Sequence, residues 1–255
     1  MVCHDETQLE GYVYTDFDEN NNFKNPKYLC GRVILSSTND AIQHSNINMV
    51  KQLEDGIQWV KSVDECMNDD NKKIFDSKQL NKIEASGIPP FCLSLKKNVC
   101  IILICNLNVK PRHVNGTQCI IEEIKSHVIK ARLLDGGKHP EIFISKISIV
   151  CSDTDFPTRF KRKQFPILLA YYLTFNRAQG QSLERVGIRL HQSVFTHGLL
   201  YIGMSRCGDP MFVFVYADQS EFQHLIDNGI LDPTKTYTRN IVFPEIFEQD
   251  DDELL

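Results

Sequence analysis

The sequence predicts an α/β protein in which a small all-β insertion interrupts a parallel sheet. Strand-like and helix-like segments alternate in the first and last parts of the 255-residue chain, whereas residues 93–150 hold short apolar runs separated by turn residues. Strands that alternate with helices are typical of a parallel sheet, and short strands at close spacing are typical of a small antiparallel barrel or sheet. The length suits one or two domains.

The first part of the chain predicts one strand and one helix after a polar stretch. Residues 1–28 lack a periodic apolar pattern, which predicts a loop or a frayed end. Residues 32–37 predict a strand, and residues 38–53 predict a helix that begins with a good set of N-cap residues. Residues 54–86 mix charges with little periodicity and predict a long connection.

The last part of the chain resumes the alternation. Residues 167–180 have a helical period that ends at a glycine. Residues 186–190 predict a strand, residues 196–207 a helix, and residues 211–216 a buried strand. These elements belong with the strand and helix of the first part, on either side of the β insertion.

The formal charge of −5 belongs to the ends of the chain. Residues 1–25 carry −5 and residues 240–255 carry −6, so that residues 26–239 carry +6. Residues 156–189 hold seven basic residues and one acid. Because phosphate binding needs cationic side chains, this distribution leaves nucleic acid open as a ligand.

Three other classes of protein are disfavoured. The longest strongly apolar run, Val99 to Cys105, is seven residues, whereas a membrane span needs about 20. The acidic, polar N-terminus predicts no secretory signal. The nine cysteines lack CxxC spacing, which predicts buried free thiols in a reducing compartment and no metal site.

A polar turn and an arginine form the candidate site. Gln179, Gly180, Gln181 and Ser182 follow the predicted helix, and a glycine there permits close approach of a polyanion backbone. Arg206 ends the next predicted helix and offers five donors to a phosphate. On these residues alone, an ordinary turn and an ordinary helix end explain the pattern better than a phosphate site does.

Two long motifs carry a family resemblance. Residues 173–183 read LTFNRAQGQSL and resemble the fifth motif of superfamily 1 DNA helicases of the petite-integration-frequency type, Helitron-like members included, whose usual form is close to M-T-I-N-K-S-Q-G-Q-T-L. Residues 194–206 read VFTHGLLYIGMSR and resemble the sixth motif, roughly V-F-S-H-G-Q-L-Y-V-A-L-S-R. Both occur in the family's order and at its spacing.

Shorter matches extend the resemblance over residues 29–248. They are RVILSSTND at 32–40, GIPP at 87–90, NL at 106–107, VNGT at 114–117, FKRKQFP at 160–166 and RNIVFPEI at 239–246. The resemblance implies a second RecA-like domain at 29–86 and 166–240, interrupted by an SH3-like β-barrel insertion at 87–165. Residues 1–28 then form an acidic N-terminal extension, and residues 241–255 form an acidic tail.

The resemblance also implies roles for individual residues. Arg206 would reach the γ-phosphate of ATP held by a first RecA-like domain. The turn Gln179, Gly180, Gln181 and Ser182 would touch the single-stranded DNA backbone and relay the nucleotide state. Further DNA contacts are expected at Asn39, Arg159, Lys161, Arg162, Lys163, Thr174, Asn176 and His197.

The chain departs from the family pattern in several places. Arg177 and Ala178 stand where the family usually has Lys-Ser, and Leu199 replaces a glutamine. The P-loop pattern G-x-x-x-x-G-K-[ST] does not occur in the sequence, and the nearest decoy for a Mg²⁺-binding strand is the Val-Asp-Glu stretch at 63–65. The full-length family uses ATP and Mg²⁺; we expect this chain alone to bind neither and to hydrolyse ATP at no more than background.

Two functions stay open. The first is the C-terminal portion of a 5′-to-3′ ATP-dependent DNA helicase, with single-stranded DNA and a separate or missing first RecA-like domain as partners, and no membrane. The second is a non-catalytic nucleic-acid-binding module derived from a helicase or transposon. A general protein-interaction domain would give the two motifs no reason to be present. The resemblance further implies an intracellular location, nuclear or mitochondrial, and links to DNA repair, recombination or telomere maintenance.

Overall fold

The computed structural model describes residues 1–17, 19–37, 39–53, 56–67, 77–83, 87–107, 114–134, 140–151, 159–194 and 196–243, without the side chains of residues 20, 21, 39–41 and 77. Its strands are β1 (Arg32–Ser36), β2 (Gln58–Lys61), β3 (Val63–Cys66), β4 (Cys92–Leu95), β5 (Cys100–Leu103), β6 (Gln118–Ile124), β7 (Val128–Leu133), β8 (Glu141–Ser145), β9 (Ile147–Cys151), β10 (Phe160–Gln164), β11 (Ile167–Leu169), β12 (Tyr172–Thr174), β13 (Arg185–Leu190) and β14 (Val213–Ala217). Its α-helices are α1 (Glu6–Val13), α2 (Pro26–Leu29), α3 (Asn39–Gln52), α4 (Ser77–Leu80), α5 (Phe175–Ala178), α6 (Leu199–Met204) and α7 (Gln223–Asp227). Short 3₁₀ helices lie at Glu19–Lys24 and Pro210–Phe212.

The chain divides into two compact units. The parallel-sheet unit consists of Met1–Asp16, Gly31–Ile42 and Tyr172–Leu255. The β-rich unit consists of Phe17–Cys30 and Gln43–Tyr171. The β-rich unit is therefore larger than the insertion expected at residues 87–165, because it also takes in residues that the sequence assigned to the N-terminal extension and to the α/β domain.

The parallel-sheet unit is built on four strands in the order β12-β1-β13-β14, and each neighbouring pair is parallel. The predicted strands at 32–37, 186–190 and 211–216 are confirmed as β1, β13 and β14. The helix expected at 38–53 is confirmed as α3, and the helix expected at 196–207 is present as the shorter α6. The mixed α/β fold with a parallel sheet is thus confirmed.

The N-terminal segment contains a helix, so the prediction of a loop over residues 1–28 is wrong. α1 packs on β1, β13 and β14, and its residues Leu9 and Val13 are fully buried. A Cβ at Gly187 of β13 would lie 2.9 Å from Val13 Cγ2, so the missing side chain allows the helix to approach the sheet. The segment looks aperiodic because a helix of eight residues has too few turns to show a pattern.

The acids of α1 pair with residues of the sheet. Glu6 forms an ion pair with Arg189 at 3.2 Å and contacts His191 Nε2 at 2.5 Å. Glu10 accepts a hydrogen bond from the hydroxyl of Tyr172. Burial, together with the charge of Glu10, raises the pKa of Tyr172 well above its ordinary value. Composition alone assigns Glu6 and Glu10 to a solvated chain end, whereas the structure pairs both with side chains of the sheet.

The segment after Pro166 is mostly extended, so the prediction of a helix over residues 167–180 is wrong for most of its length. β11 and β12 occupy it, and a single turn of helix, α5, follows. Tyr172 and Leu173 of β12 are almost completely buried. A continuous apolar run fits a buried strand as well as a helix, and periodicity alone does not separate the two.

The β-rich unit contains, in its described part, three antiparallel sheets. Their strand orders are β11-β5-β6-β7-β8, β3-β10-β9 and β2-β4. The all-β block predicted for residues 93–150 is confirmed by β4 to β9. Residues 54–86 are more than a connection, because β2, β3 and α4 lie there, and that prediction is wrong.

Two expectations from composition concern thiols and membrane spans. All nine cysteines are free thiols, as predicted. Burial raises the pKa of Cys119 to about 12 and raises that of Cys100 as well. Over the described ranges, no helix is long and apolar enough to cross a membrane.

Candidate functional site

The amino end of the parallel sheet holds the Gln-Gly-Gln-Ser turn, which leads from α5 into β13. The backbone N–H of Gln181 donates to Ala178 O at 3.1 Å. Gly180 has a φ of +80°, a left-handed conformation that residues with a side chain rarely adopt. Gln179, Gly180 and Ser182 are exposed, and Gln181 is half-buried. The turn therefore presents polar groups to solvent on a backbone shape that requires glycine.

Arg206 lies directly beside this turn. Its carbonyl accepts a hydrogen bond from Leu183 N–H at 2.9 Å, and its Nη1 lies 3.5 Å from Gln181 O. Its Nε donates to Ile202 O at 2.8 Å, and its Nη2 donates to Ser205 Oγ at 2.9 Å. The half-buried guanidinium is thus folded onto neutral acceptors. A phosphate would be a stronger partner, because hydrogen bonds between charged groups are stronger than those to neutral oxygens.

Helices α5 and α6 pack closely together in the two motifs. A Cβ at Gly203 would lie only 2.4 Å from Phe175 Cε1. The family form of the two motifs has Ile at position 175 and Ala at position 203, so this chain has a larger residue on one helix and a smaller one on the other. Sequence reasoning missed this pair, although both residues stand inside the quoted motifs.

A second group of predicted residues lies at the opposite, carboxyl end of the sheet. Thr174 ends β12 and is the parallel neighbour of Ser36 at the end of β1. The hydroxyls of Ser36 and Ser37 are buried and have no hydrogen-bond partner within the described residues. Asn39 begins α3 close by in the chain, and its side chain lies outside those described. The structure therefore places Thr174 and Arg206 at opposite ends of the strands.

Of the two remaining motif residues, His197 is in contact with the chain's own C-terminal segment. Its Nδ1 accepts a hydrogen bond from Phe243 N–H at 3.0 Å, and the two rings stack with their centroids 5.6 Å apart. Asn176, on α5, is exposed. A DNA contact through His197 requires Phe243 to move, whereas Asn176 is open to solvent.

The predicted basic cluster is divided by the alternation of a strand. Lys161 and Lys163 of β10 are exposed, whereas Arg162 between them points inward. Arg159, just before the strand, is exposed as well. Because successive side chains of a strand point to opposite faces, the charge density along the sequence overstates the charge on either face.

Arg162 is a structural residue, and the prediction that it contacts DNA is wrong. Its side chain is fully buried and pairs with Asp64, with 2.7 Å between Nη2 and Oδ2. Its remaining donors reach the carbonyl oxygens of Leu80, Ile83 and Pro89 at 3.0–3.1 Å. All five N–H groups are therefore used inside the protein. The Val-Asp-Glu stretch that looked like a decoy provides the partner of this arginine.

The departures from the family pattern lie largely in the interior. Ala178 and Leu199 are both buried. An apolar residue at a buried position avoids the cost of a polar group without a partner. Arg177 is half-buried, and burial lowers its pKa. Its carbonyl accepts a hydrogen bond from Gln181 Nε2 at 3.2 Å, which steadies the turn.

The described residues fit a phosphate better than a metal ion. Within the described ranges, no three or more His, Cys, Asp or Glu side chains are grouped so that they could hold a metal ion. Arg206, half-buried just after α6, carries a guanidinium group, whose five donors suit a phosphate.

Comparison with known proteins finds sequence relatives. Residues 78–124 match the family described as DNA helicase Pif1, 2B domain. The ATP-dependent DNA helicase Pif1 of Campylobacter jejuni is 30% identical over 125 residues, which make up 46% of this chain and 28% of the relative. The ATP-dependent DNA helicase PIF1 of Danio rerio is 25% identical over 175 residues, which make up 68% of this chain and 25% of the relative.

Solved structures share the fold. The crystal structure of Pif1 helicase from Candida albicans has a TM-score of 0.57 at 18% identity and covers 88% of this chain and 54% of that one. Pif1 helicase from Bacteroides, solved in complex with ADP-AlF3 and ssDNA, has a TM-score of 0.52 at 15% identity, with coverages of 87% and 52%. The chain spans about half the length of these structures and matches about a quarter of the two curated relatives.

The parallel-sheet fold and the two motifs resemble those of superfamily 1 helicases, which is the class of protein that they indicate. Within that class the chain is Pif1-like, because the family match, the curated relatives and the fold neighbours agree.

Proposed function

We propose that this chain acts as the C-terminal portion of an ATP-dependent DNA helicase, binding the backbone of single-stranded DNA and supplying Arg206 to ATP. The observation that carries the proposal is the contact between the two motifs, in which Arg206 Nη1 lies 3.5 Å from Gln181 O. A residue that senses a phosphate and a turn that touches DNA have to be coupled in a motor protein, and this contact couples them.

The two units correspond, in this proposal, to the two parts of the family's C-terminal half. The parallel-sheet unit is the second RecA-like domain. The sheet β11-β5-β6-β7-β8 is the counterpart of the SH3-like β insertion, and the match of residues 78–124 to the Pif1 2B domain supports this, because β5 and β6 lie within it. The relatives are named as ATP-dependent helicases, and one fold neighbour was solved with ssDNA.

The residues proposed to face DNA are those whose hydrogen-bond donors are not used inside the described part of the protein. Thr174, half-buried at the carboxyl end of the sheet, is the proposed contact there, whereas the hydroxyls of Ser36 and Ser37 are buried. Hydroxyl and amide side chains commonly contact phosphate and sugar groups. Lys161 and Lys163 add positive charge in the β-rich unit. ATP and Mg²⁺ are held in this proposal by a first RecA-like domain, and Arg206 stabilises charge that develops on the transferred phosphoryl group.

The second candidate function is a nucleic-acid-binding module without catalysis. It is favoured by the sequence itself, in which no G-x-x-x-x-G-K-[ST] pattern occurs. The two candidates share DNA binding and differ in the role of Arg206, which is catalytic in the first and dispensable in the second.

DNA binding is tested by fluorescence anisotropy with a short labelled oligothymidylate. We expect the logarithm of the binding constant to fall linearly with the logarithm of salt concentration, with a slope of about −0.7 for each phosphate contacted. Binding that does not respond to salt contradicts backbone recognition and therefore both candidates.

The role of Arg206 is tested by adding a P-loop domain from a Pif1 relative to the purified chain. We expect DNA-stimulated ATP hydrolysis that Arg206→Ala abolishes while leaving DNA binding unchanged. Lys125→Ala, which removes an exposed base far from the motifs in sequence, is the matched control. Hydrolysis that is the same with Arg206→Ala favours the non-catalytic module. DNA-stimulated hydrolysis by the chain alone that disappears in Arg206→Ala contradicts the expected dependence on a second domain.

A further inference from the structure

A continuous outward face runs through β2 and β3 in the β-rich unit. Trp59, Lys61, Val63 and Glu65 are exposed, and the residues between them are more buried. The two strands belong to different sheets and are joined by Ser62 alone, and the alternation of exposed and more buried residues continues across that link, as in an extended chain whose successive side chains point to opposite sides. Trp59, which is 59% exposed, stands at one end of the row.

The lysines of β10 lie beside this row. Lys163 is the antiparallel partner of Val63, and Lys161 is the partner of Glu65. Residues directly opposite each other on paired strands share a face and have neighbouring Cβ atoms. Lys161 and Lys163 therefore extend the exposed row sideways, and Lys61 continues it toward the tryptophan.

A further ammonium group joins the same surface. Lys146 Nζ donates a hydrogen bond to Lys61 O at 3.1 Å and lies 5.3 Å from the centre of the Phe165 ring. Burial and the nearby charge of Lys163 lower the pKa of Lys146. The positive charges of Lys146 and Lys163 are thus close enough to repel each other.

The charge on this face is not cancelled inside the protein. Lys61, Lys161 and Lys163 form no salt bridge with any acid that the structure describes, and Glu65 is the acid of the row. Glu65 lies directly opposite Lys161 and offsets part of its charge, whereas the strand partners of Lys61 and Lys163 are uncharged. Like charges without an acidic partner repel each other, and an anionic ligand would relieve that repulsion. An exposed indole beside them offers a large apolar face that water solvates poorly.

We propose that Trp59, Lys61, Lys146, Lys161 and Lys163 form a binding surface for single-stranded nucleic acid, with a base stacked on Trp59 and phosphates along the lysines. The combination of a basic groove and an aromatic platform is how proteins bind single strands without reading sequence. The inference rests on the proposed function and adds a contact area in the β-rich unit that neither helicase motif contains.

The intrinsic fluorescence of the protein reports on this surface directly, because Trp59 is its sole tryptophan. Titration of the full chain with unlabelled oligothymidylate is expected to quench the emission, with a midpoint that matches the anisotropy titration. The double variant Lys61→Ala/Lys163→Ala is expected to move both midpoints to higher DNA concentration and to lower the salt slope. A duplex that quenches as strongly as the single strand overturns base stacking on Trp59.

Substitutions at the aromatic position separate stacking from structure. Trp59→Ala is expected to weaken binding of the labelled oligothymidylate about 5- to 100-fold, and Trp59→Phe is expected to recover much of the loss because it keeps an aromatic ring. Phe143→Ala is the matched control, since Phe143 is an exposed aromatic residue on another sheet of the same unit. A loss in Phe143→Ala equal to that in Trp59→Ala overturns the assignment.

The outcomes distinguish this inference from the proposed function. If anisotropy shows DNA binding while Trp59 emission and Trp59→Ala affinity stay unchanged, the surface is wrong and the proposed function stands. If quenching and the loss in Trp59→Ala occur while Gln181→Ala and Thr174→Ala leave affinity unchanged, the surface stands and the DNA contact by the motifs is wrong. If the chain does not bind DNA at all, both are wrong.

Discussion

Arg162 in the β-rich unit and Arg206 in the parallel-sheet unit have opposite environments, although the sequence predicted a phosphate contact for both. Arg162 is fully buried and pairs with Asp64, and it uses every donor on carboxylate and carbonyl oxygens. Arg206 is half-buried, and its acceptors are two carbonyls and a hydroxyl, all of them neutral. The difference is the buried carboxylate, which commits one guanidinium to the fold and is missing beside the other.

The position of each arginine in its element explains this difference. Arg162 is the central residue of a strand and faces inward, where an arginine needs a carboxylate and a full set of acceptors. Arg206 follows a helix whose last turn supplies carbonyl oxygens as acceptors, and Ile202 O accepts from both Arg206 Nε and Ser205 Oγ. A half-buried arginine after a helix can be satisfied by neutral carbonyl oxygens, whereas a fully buried arginine in a strand needs a carboxylate as well.

The largest expected effect comes from breaking the buried pair. Arg162→Ala leaves the Asp64 carboxylate buried without its partner and should lower the free energy of unfolding by about 3–5 kcal/mol. Urea denaturation measures this. Lys161→Ala, the exposed neighbour, is the control and should change it by about 0.5 kcal/mol or less.

If Arg162→Ala does not fold, Asp64→Asn provides a milder version of the same test. It keeps the shape of the side chain and removes the charge, and it should destabilise the protein in the same direction. A variant of either residue that is as stable as the parent protein but binds DNA weakly would restore Arg162 to the DNA-binding residues.

A smaller effect is expected at the contact between Gly203 and Phe175. Gly203→Ala places a methyl group against Phe175 and should cost about 1–3 kcal/mol of stability through overpacking. Phe175→Ile in the same chain should recover part of this loss, and a double-mutant cycle measures the coupling between the two positions.

Gly208→Ala is the matched control for this test, since a Cβ there would have open space around it. If Gly203→Ala and Gly208→Ala lose the same stability, or if Phe175→Ile recovers none of it, the volumes of residues 175 and 203 are not matched to each other.

Alkaline pH should weaken the β-rich unit through its buried thiols. The pKa of Cys119 rises on folding from 9.0 to about 12, so the folded chain keeps a proton that the unfolded chain releases. Its contribution to stability is complete below pH 9 and is lost as the pH rises from 9 toward 12, by about 1.4 kcal/mol per pH unit. Denaturation at a series of pH values measures the slope, which Cys119→Ala should make shallower. A slope that is the same in both proteins contradicts the assignment.

The smallest effect on stability is expected at Arg206. Arg206→Ala removes hydrogen bonds to neutral acceptors from a half-buried position and should change the free energy of unfolding by about 0.5 kcal/mol or less. A loss as large as that of Arg162→Ala would mean that both arginines are structural, and the contrast between the two units would disappear.

The sequence predicts the candidate site of the parallel-sheet unit better than the rest of that unit. The strands β1, β13 and β14 stand out as apolar runs bounded by turn residues, and the two motifs place Gln181 and Arg206 in one site, as the structure has them. α1 escapes detection because eight residues show no period, and β12 escapes because a buried apolar run resembles a helix.

The basic cluster was misread for a different reason. Charge was counted along the chain, whereas a strand distributes neighbouring residues to opposite faces, so that Arg162 and Lys163 have unlike environments. The exposed row in residues 59–65 could not be recognised from the sequence, because apolar and polar residues occur on both faces of that stretch. Register, which depends on the partner strand, was beyond any pattern in a single sequence.

The central place of β1 in its sheet has a consequence for synthesis on the ribosome. β1 lies between β12 and β13, whose residues follow it in the chain only after the long segment Gln43–Tyr171 has been made. At elongation rates of about 5–20 residues per second, that delay is roughly 6–26 s. Segments of the β-rich unit can begin to fold during that time. Val33, Ile34 and Leu35, which are fully buried in the folded sheet, then have no partner strands. The nascent chain therefore exposes an apolar strand for seconds, a period in which a chaperone that holds extended apolar segments can bind it.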